Sequence, residues 1–582
     1  MTGVTEKRGE GFSMRMAFRV SIAALLLGGA VATASMPARV FTRQAEKNGS
    51  SLTAVEQEVV SFVSADTIRD VTVKLSSKEM EGRGTGQPGA ERSAKYIAER
   101  FKQVGLKPAG DGGDYYQKIK FEIERSLPTS SFKVGAAAFK YKEEFVIAPP
   151  FPAESKEISG GLVLAGYGVV SPELKRDDLA GIDVKGKIVL ALSGKPSNVD
   201  AAVWAKAADR SSVLTGLARK GAVGFVIAQV GRATQPYELV ASYFSRRRVS
   251  LSDPSPDAPQ RSDLPPALRI SDTAAAKLFA MTATPATPAT SDGSFADLKR
   301  RAEAGEYVSR DLGKQASISA VIQRRRGPCN NVIGLLEGSD PKLKEQVVVY
   351  TAHYDAYGID ADGTIYPGAG DNAIGVGKLI AIAEALVKSK FKPRRSVMFM
   401  ALTGEEYGLL GAEHWVWHPT WPLEKVAANI NFDGIGSEAW GPLGFVLDLG
   451  AGHSDLNNIF KDVAASKGIT ILPDPDPSEG FFYRSDHYSF VKRGVPALYL
   501  VGGPQGNPFE IMKRVSAWLV KDYHQATDTV QPDWNWDGAR ALSALGMVVG
   551  MRVATQEAMP SWMPSSPYNQ PRGAMPPPAV SR

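Results

Sequence analysis

The chain has 582 residues, of which 43% are hydrophobic and 22% charged, a composition typical of a globular protein with more than one domain. Its formal net charge is +6, and the arginine triplets at 246–248 and 324–326 lack the interleaved aromatic residues of single-strand binders, so nucleic acid is not an expected partner. Cys329 is the single cysteine, which excludes an intrachain disulfide and a thiolate zinc site.

The N-terminal residues have the pattern of an export signal. Arg15 and Arg19 precede an apolar run over 20–34 that ends in the small-x-small sequence Ala32-Thr33-Ala34. We therefore expect residues 1–34 to be a signal peptide and the protein to be exported, to the periplasm or the extracellular space. A membrane is an expected partner only if this segment is retained as an anchor.

The next three segments differ in composition and in predicted secondary structure. Residues 35–64 are polar and are predicted to be a linker. Helical periodicity begins at Thr67 and recurs near 91–104, within 65–139, which we predict to be the first segment of the domain that continues at 296–558. The glycine-rich stretch 79–86 lacks the Lys-Ser/Thr pair and the preceding strand of a phosphate-binding loop, so it is interpreted as a structural turn. Residues 140–295 carry short apolar strands separated by turn residues, which predicts an inserted β-rich module.

Residues 296–558 alternate between apolar strands and amphipathic helices. This alternation predicts an α/β fold with a mostly parallel mixed sheet flanked by helices. The predicted strands lie near 332–336, 347–350, 397–402, 427–432 and 497–501, and the predicted helices over 372–388, 406–417, 455–467 and 538–554. The Pro-rich residues 559–582 are predicted to be a disordered tail.

His353 and Asp355 follow the strand at 347–350. The two residues are two apart on an extended segment, so both side chains leave the same face. The carboxylate can then accept a hydrogen bond from the far imidazole nitrogen and fix the tautomer that binds a metal. Taken alone, His-x-Asp is more often an ordinary polar pair.

Two further sets of acidic residues stand at element ends. Asp371 lies at the start of a helix, in a loop where Gly368 and Gly370 allow the backbone to approach a bound ligand closely. Asp is also a good helix cap, which is the alternative role of Asp371. Glu405 and Glu406 follow an apolar strand and point in different directions, so one can bind a metal while the other remains free as a base.

Asp433 and His524 complete a set of five candidate metal ligands at one sheet edge. The carboxyl ends of parallel strands meet at that edge, where open α/β sheets bind ligands. Oxygen and nitrogen donors without sulfur suit Zn²⁺, Mn²⁺ or Co²⁺. Two such ions bridged by one carboxylate can hold a hydroxide and a carbonyl oxygen together.

These motifs, in order, resemble those of the M28 family of cocatalytic zinc exopeptidases. The resemblance spans roughly 65–555, and the shorter stretches 166–168, 183–188 and 220–222 resemble the protease-associated (PA) domain that many secreted members carry. The motifs are His353-Tyr354-Asp355, Gly370-Asp371-Asn372, Gly404-Glu405-Glu406, Asn431-Phe432-Asp433-Gly434 and Tyr523-His524. The implied fold is the zinc-exopeptidase, phosphorylase/hydrolase-like sheet.

The resemblance also implies roles for individual residues. One zinc would be held by His353 and Asp433 and the other by Glu406 and His524, with Asp371 bridging both. Glu405 would be the general base, Asp355 would orient His353, and Tyr523 would donate to the oxyanion. Ile374 departs from the family pattern, which often has Ser there, and it supplies no ligand.

Ser485-Asp486-His487 also resembles a family motif, in which the histidine lines the substrate pocket. His487 and Tyr483 are accordingly candidate substrate residues.

The expected function is removal of N-terminal residues from peptides by a metal-bridging hydroxide, with Glu405 as general base. A carboxypeptidase or dipeptidase using the same site, a single-metal glutaminyl cyclase and a non-catalytic peptide-binding protein are the alternatives. No oligomeric state is predicted.

Overall fold

The computed structural model describes residues 51–230, 236–256, 264–282, 294–450, 452–474, 477 and 480–575. The predicted signal peptide and the first part of the predicted linker lie outside the described residues. Among the described helices, none combines the length and the apolar character that crossing a membrane requires.

The described chain forms two compact units. The first, called the β-rich unit, comprises the described residues of Ile123–Arg248 and Pro259–Arg325. The second, called the α/β unit, comprises those of Ser21–Glu122, Val249–Ala258 and Arg326–Arg582.

Four parallel strands form one side of the sheet in the α/β unit. They are Val347–His353 (β1), Ser396–Leu402 (β2), Val426–Phe432 (β3) and Ala497–Leu500 (β4), in the spatial order β2-β1-β3-β4. Every residue of β1, β2 and β3 is buried, as expected for strands covered on both faces. The strand Ile322–Leu336 runs antiparallel to β2, and Tyr116–Ser126 and Arg248–Leu251 follow at the edge. The predicted α/β class with a mixed sheet is confirmed.

Three of the helices in the α/β unit are Ile374–Lys388 (α1), Pro508–Lys521 (α2) and Asp537–Thr555 (α3). Helix α1 packs against Ala65–Leu75 so closely that a Cβ on Gly377 would lie 2.7 Å from the carbonyl oxygen of Ile68, which is why glycine stands there. Helix α3 lies over β1, where the Tyr350 hydroxyl donates to the carbonyl of Met547 at 3.0 Å.

The remaining elements of the α/β unit cover this framework. Its other helices are Ala54–Ser61, Ala65–Leu75, Pro88–Val104, Leu410–Trp417, Leu456–Ser466 and His487–Lys492. Its other strands are Lys107–Pro108, Gly358–Ile359, Ile365–Tyr366, Leu443–Asp448, Thr470–Pro473 and Gly502–Pro504.

The β-rich unit is built on an eight-stranded sheet. In spatial order the strands are Ala137–Phe139, Ser131–Val134, Arg310–Ala320, Lys156–Leu164, Ile188–Ser193, Gly224–Gln229, Ala267–Ile270 and Phe145–Ala148. Its helices are Ala201–Ala207, Arg210–Arg219, Tyr237–Ser245, Asp272–Thr282 and Phe295–Glu303, and Val170–Ser171 pairs with Arg176–Asp177. Phe132 and Ile318 are fully buried in its core, so the compact unit extends beyond the predicted 140–295.

Two segments expected to lack structure are folded. Within the predicted linker, Ala54–Ser61 is a helix that begins with a capping box between Thr53 and Glu56. Contrary to the predicted disorder, residues 559–575 pack on the α/β unit: Tyr568 is buried with Phe482, and Arg572 Nε donates to the carbonyl of Val426 at 2.8 Å. The buried aromatic side chains outweigh the Pro-rich composition that predicted disorder. Residues 576–582 lie outside the described residues.

Candidate metal centre

The candidate ligands lie where three parallel strands end. His353 is the last residue of β1, Glu405 and Glu406 follow β2 in a 3₁₀ turn, and Asp433 follows β3 directly. Asp371 lies in the turn before α1, and His524 follows α2. The order of β1, β2 and β3 in the sheet brings these loops to one edge.

Five side chains converge into two groups of three that share one member. His353, Asp371 and Asp433 form the first group, and Asp371, Glu406 and His524 form the second. Within each group the ligand atoms lie within 4.8 Å of one another.

Asp371 presents a different oxygen to each histidine. Its Oδ1 lies 3.2 Å from Nε2 of His353, and its Oδ2 lies 3.2 Å from Nε2 of His524. Nε2 of His353 is also 3.3 Å from Oδ1 of Asp433, and Nε2 of His524 is 3.1 Å from Oε2 of Glu406. The donors are nitrogen and carboxylate oxygen on buried or nearly buried side chains, and this chemistry fits a divalent cation such as zinc.

The carboxylates clustered at the site change the pKa values of both histidines. Burial opposes protonation of His353, but the negative charges of Asp433 and Glu405 outweigh it and raise its pKa well above the ordinary value. Burial likewise opposes protonation of His524, but Glu406 and Asp371 raise its pKa. The site thus attracts positive charge, which a divalent cation supplies in place of protons.

Asp355 supports the site in a way that differs from the predicted contact. Its carboxylate lies 3.7 Å from Nδ1 of His353, too far for a hydrogen bond, and its backbone carbonyl lies nearer, at 3.2 Å. The carboxylate instead accepts from the backbone N–H of Glu405 and from the hydroxyl of Thr85, both at 3.1 Å. Asp355 therefore joins the loop after β1 to the loop after β2.

Sequence reasoning missed two hydrogen bonds to the ligand set. Ser485 donates to Oδ2 of Asp433 at 2.5 Å and accepts from the side-chain amide of Asn431 at 2.6 Å. The hydroxyl of Tyr357 lies 3.1 Å from Nδ1 of His524. Both contacts join residues far apart in the chain, so the sequence offers no local signal for them.

The predicted oxyanion donor Tyr523 and the predicted substrate residues His487 and Tyr483 differ in how they pack. The ring of Tyr523 stacks on that of His524 with centroids 3.6 Å apart. His487 is fully buried and stacks on Tyr499, and burial lowers its pKa to about 3, so it presents a neutral ring to its neighbours and no surface to a substrate. Tyr483 is half-buried and packs on Tyr488.

Comparison with known proteins shows similarity to peptidases over part of the chain. Residues 331–548 match the sequence profile of peptidase family M28. The chain is 31% identical over 213 residues to leucine aminopeptidase 2 of Trichophyton rubrum, and 28% identical over 215 residues to a probable leucine aminopeptidase 2 of Aspergillus oryzae. A probable glutamate carboxypeptidase of Arthroderma benhamiae is 27% identical over 271 residues, which are 43% of this chain and 34% of that protein.

Two solved structures share the fold along most of the chain. An aminopeptidase from Aneurinibacillus sp. strain AM-1 has a TM-score of 0.56 at 18% identity and covers 87% of this chain and 97% of its own. A zinc aminopeptidase from Bacillus subtilis has a TM-score of 0.50 at 18% identity and covers 85% of this chain and 96% of its own.

The match to the M28 family profile covers less than half of the chain. The two leucine aminopeptidases align over 34% of this chain, and the alignments span 40% of each relative's length.

Proposed function

We propose that this protein is an exported zinc aminopeptidase that holds two metal ions and removes N-terminal residues from peptides. His353 and Asp433 would hold one ion, Glu406 and His524 the other, and Asp371 would contribute one oxygen to each. When bound, the ions would polarise the scissile carbonyl as Lewis acids and lower the pKa of water.

The observation that carries this proposal is the placement of the two Asp371 oxygens. Each lies 3.2 Å from Nε2 of a different histidine, and each histidine also faces a carboxylate of its own. A single-metal enzyme requires only one of these groups, so the paired arrangement favours a dinuclear centre over a glutaminyl-cyclase-like site.

Glu405 would transfer the protons of the reaction. Its Oε2 lies 3.9 Å from Nε2 of His353, farther than any carboxylate of the two donor groups, and the side chain is not fully buried. It would take a proton from the attacking water and deliver it to the leaving amine, as a general base and then a general acid. The backbone hydrogen bond to Asp355 holds Glu405 in place for this transfer.

Tyr523 would stabilise the negative charge that develops on the carbonyl oxygen. Its ring is held against His524, next to the donor group that contains Glu406. A hydroxyl donor at this position would strengthen its hydrogen bond as the carbonyl becomes an oxyanion.

Hydrolysis of a substrate panel tests the proposal. The panel contains aminoacyl anilides with a free amino group, the same compounds with a blocked amino group, and peptides blocked only at the N-terminus. We expect cleavage only of the free-amino compounds, loss of cleavage with a chelator, and recovery with added zinc. Chelator-insensitive cleavage, or no cleavage by protein shown to hold two zinc ions, would contradict it.

A carboxypeptidase is the second candidate, favoured by the similarity to a probable glutamate carboxypeptidase. It would use the same ligands and Glu405 but would release residues from the carboxyl end. Chelator-sensitive cleavage of N-blocked peptides with release of the C-terminal residue would establish it instead.

The proposal includes export after removal of residues 1–34 and a PA-like identity for the predicted insert over 140–295. The parallel pairing of Ile188–Ser193 with Lys156–Leu164 and Gly224–Gln229 supports a compact β-rich module there. N-terminal sequencing of protein recovered from the medium or periplasm of an expressing cell tests the first part. A first residue near Ser35 is expected, and a chain that starts at Met1 would contradict cleavage.

A further inference from the structure

The glycine-rich stretch 79–86 carries a fully buried arginine. Arg83 ends the 3₁₀ turn Lys78–Arg83 and has a left-handed backbone with φ of +53°, following Glu81 at +48° and Gly82 at +64°. A left-handed conformation is sterically unfavourable at a residue other than glycine. Both Glu81 and Arg83 adopt this conformation in the turn. The turn directs the Arg83 side chain into the interior.

The guanidinium of Arg83 binds four backbone carbonyls. Nε donates to Tyr354 at 2.5 Å, Nη1 donates to Leu75 at 2.6 Å and to Pro367 at 2.5 Å, and Nη2 donates to Gly368 at 2.7 Å. Four of its five N–H donors are thereby used, in a planar arrangement that a lysine cannot reproduce.

Three of these carbonyls belong to two of the segments that carry candidate ligands, those next to His353 and Asp371. Tyr354 stands between His353 and Asp355, and Pro367 and Gly368 precede Asp371 by four and three residues. The guanidinium thus joins the loop after β1 to the loop before α1. A Cβ on Gly368 would lie 2.8 Å from Nη2 of Arg83, so glycine is what allows this close approach.

A second buried ionisable side chain holds the same loop through its amide groups. The side chain of Asp528 accepts from the backbone N–H of Gly370 at 2.8 Å and of Asp371 at 3.0 Å. The carbonyls before Asp371 therefore bind the guanidinium of Arg83, and the amides at and before Asp371 bind the carboxyl oxygens of Asp528. Backbone groups that form no regular ladder are satisfied by two side chains distant in sequence.

The charge of Arg83 suits this position. Burial lowers its pKa to about 10, while Asp528, Asp355 and other nearby carboxylates oppose that shift, so the side chain stays protonated near neutral pH. A fixed positive charge beside several carboxylates reduces their mutual repulsion before any metal binds.

We propose that Arg83 is a positioning residue of the metal centre: by clamping the carbonyls of Tyr354, Pro367 and Gly368, it sets the distance between His353 and Asp371. The inference rests on the proposed metal centre and extends it to a residue that binds neither metal nor substrate. It also gives the glycine-rich stretch, which the sequence presents as a turn, a role in metal affinity.

Arg395 provides a matched control within the same α/β unit. It is also fully buried, and it donates to the carbonyls of Val553 at 2.8 Å and Glu557 at 2.7 Å, to the carbonyl of Gln556, and to Oε1 of Gln346 at 2.7 Å. It precedes Ser396, the first residue of β2, whereas the ligands follow the other end of that strand. A strand of this length separates the two by about 20 Å.

The experiment compares Arg83→Lys with Arg395→Lys. Each change keeps the charge and removes the planar fork. For each protein, the zinc dissociation constants are measured by competition with a chromophoric chelator, and the rise in melting temperature on adding zinc to metal-free protein is recorded. This rise reports binding to the folded state and is separate from the loss of baseline stability that both variants should share.

We expect Arg83→Lys to weaken zinc binding by about tenfold or more, the range seen when supporting contacts of metal ligands are removed. The zinc-induced rise in melting temperature should shrink accordingly, and the visible spectrum of the cobalt-loaded protein should change. Arg395→Lys should keep the wild-type affinity, rise and spectrum.

Wild-type affinity and spectrum in Arg83→Lys would overturn the proposal, as would equal losses of affinity in both variants. Failure of Arg83→Lys to fold, when Arg395→Lys folds, would assign Arg83 to fold stability alone and would also overturn it. The metal centre itself is tested separately, because a wild-type protein that shows no zinc-dependent stabilisation would reject the centre rather than the role of Arg83.

Discussion

The hydroxyl of Tyr357 lies 3.1 Å from Nδ1 of His524, while Nε2 of the same ring faces Asp371 and Glu406. A neutral imidazole that binds a cation through Nε2 carries its proton on Nδ1, so Nδ1–H donates to the Tyr357 oxygen. Tyr357 would thus favour the tautomer of His524 that the proposed metal centre requires.

Replacing this hydroxyl should loosen the metal site. We expect Tyr357→Phe to weaken zinc binding by about tenfold, because the ring of His524 loses the partner that fixes its orientation. Titration of metal-free protein against a chromophoric chelator measures the change. Tyr115→Phe is the control, since it removes a single hydroxyl hydrogen bond, to the carbonyl of Leu106 at 2.5 Å, that involves no ligand. Equal zinc affinities in wild type and Tyr357→Phe would contradict the assigned role.

Glu405 and Glu406 are adjacent but should respond differently to loss of charge. Glu405→Gln should keep both metal ions and lower kcat by about 10²–10⁴-fold, the usual contribution of a general base. Glu406→Gln should instead reduce metal occupancy, because Glu406 belongs to a ligand group. Elemental analysis beside turnover on an aminoacyl anilide separates the two effects, and the exposed Glu424→Gln is the control. A metal-loaded Glu405→Gln enzyme with near-normal kcat would refute the assignment.

Zinc binding should release protons near neutral pH. Carboxylates raise the pKa values of both His353 and His524 in the metal-free protein despite the opposing effect of burial, so both rings hold a proton to higher pH than a free histidine does, and zinc must compete with that proton. Zinc affinity should therefore rise with pH through the range above about 6.5, the ordinary pKa of histidine. Calorimetry at pH 7 in two buffers of different ionisation enthalpy should give release of about one to two protons per chain. A binding enthalpy that does not depend on the buffer would contradict this expectation.

The C-terminal segment should contribute to stability. Tyr568 is buried against Phe482, Val491 and Ala497, so Tyr568→Ala should cost about 3 kcal/mol, typical for deleting a buried aromatic ring. Thermal or denaturant unfolding measures the loss. Asn569→Ala, on the neighbouring exposed residue, should be nearly neutral. An unchanged melting temperature in Tyr568→Ala would indicate that the segment does not pack as described.

The candidate ligands could be listed from the sequence because their signal is local, and the structure brings them into two groups. Each of three apolar runs in the sequence predicts a buried strand. The polar residues that follow these runs, which are His353, Glu405 with Glu406, and Asp433, therefore stand at strand ends. The topology of a parallel sheet then brings such ends together, and no distance needs to be known in advance.

The supporting contacts could not be predicted because they depend on distances between remote segments. Tyr357 and His524 are 167 positions apart, and Arg83 and Tyr354 are 271 apart. Arg83 stands in a glycine-rich stretch that the sequence predicts to be a turn, and the structure has a turn there. The sequence gives no indication of where the arginine side chain points.

Helix α2 was not predicted, although the sequence contains a helix signal at these residues. Asn507 and Pro508 form a helix start, and Ile511, Val515, Trp518 and Leu519 recur at helical spacing. The helix matters because it ends just before Tyr523 and His524 and so delivers them to the site.

The measurement that tests the central claim most directly is crystallography of the zinc-loaded protein, with data collected on both sides of the zinc absorption edge. The bridging placement of Asp371 predicts two anomalous peaks about 3.5–4 Å apart, one beside Nε2 of His353 and the other beside Nε2 of His524, with the Asp371 carboxylate between them. A single peak at full zinc loading, or peaks that do not contact Asp371, would contradict the dinuclear centre.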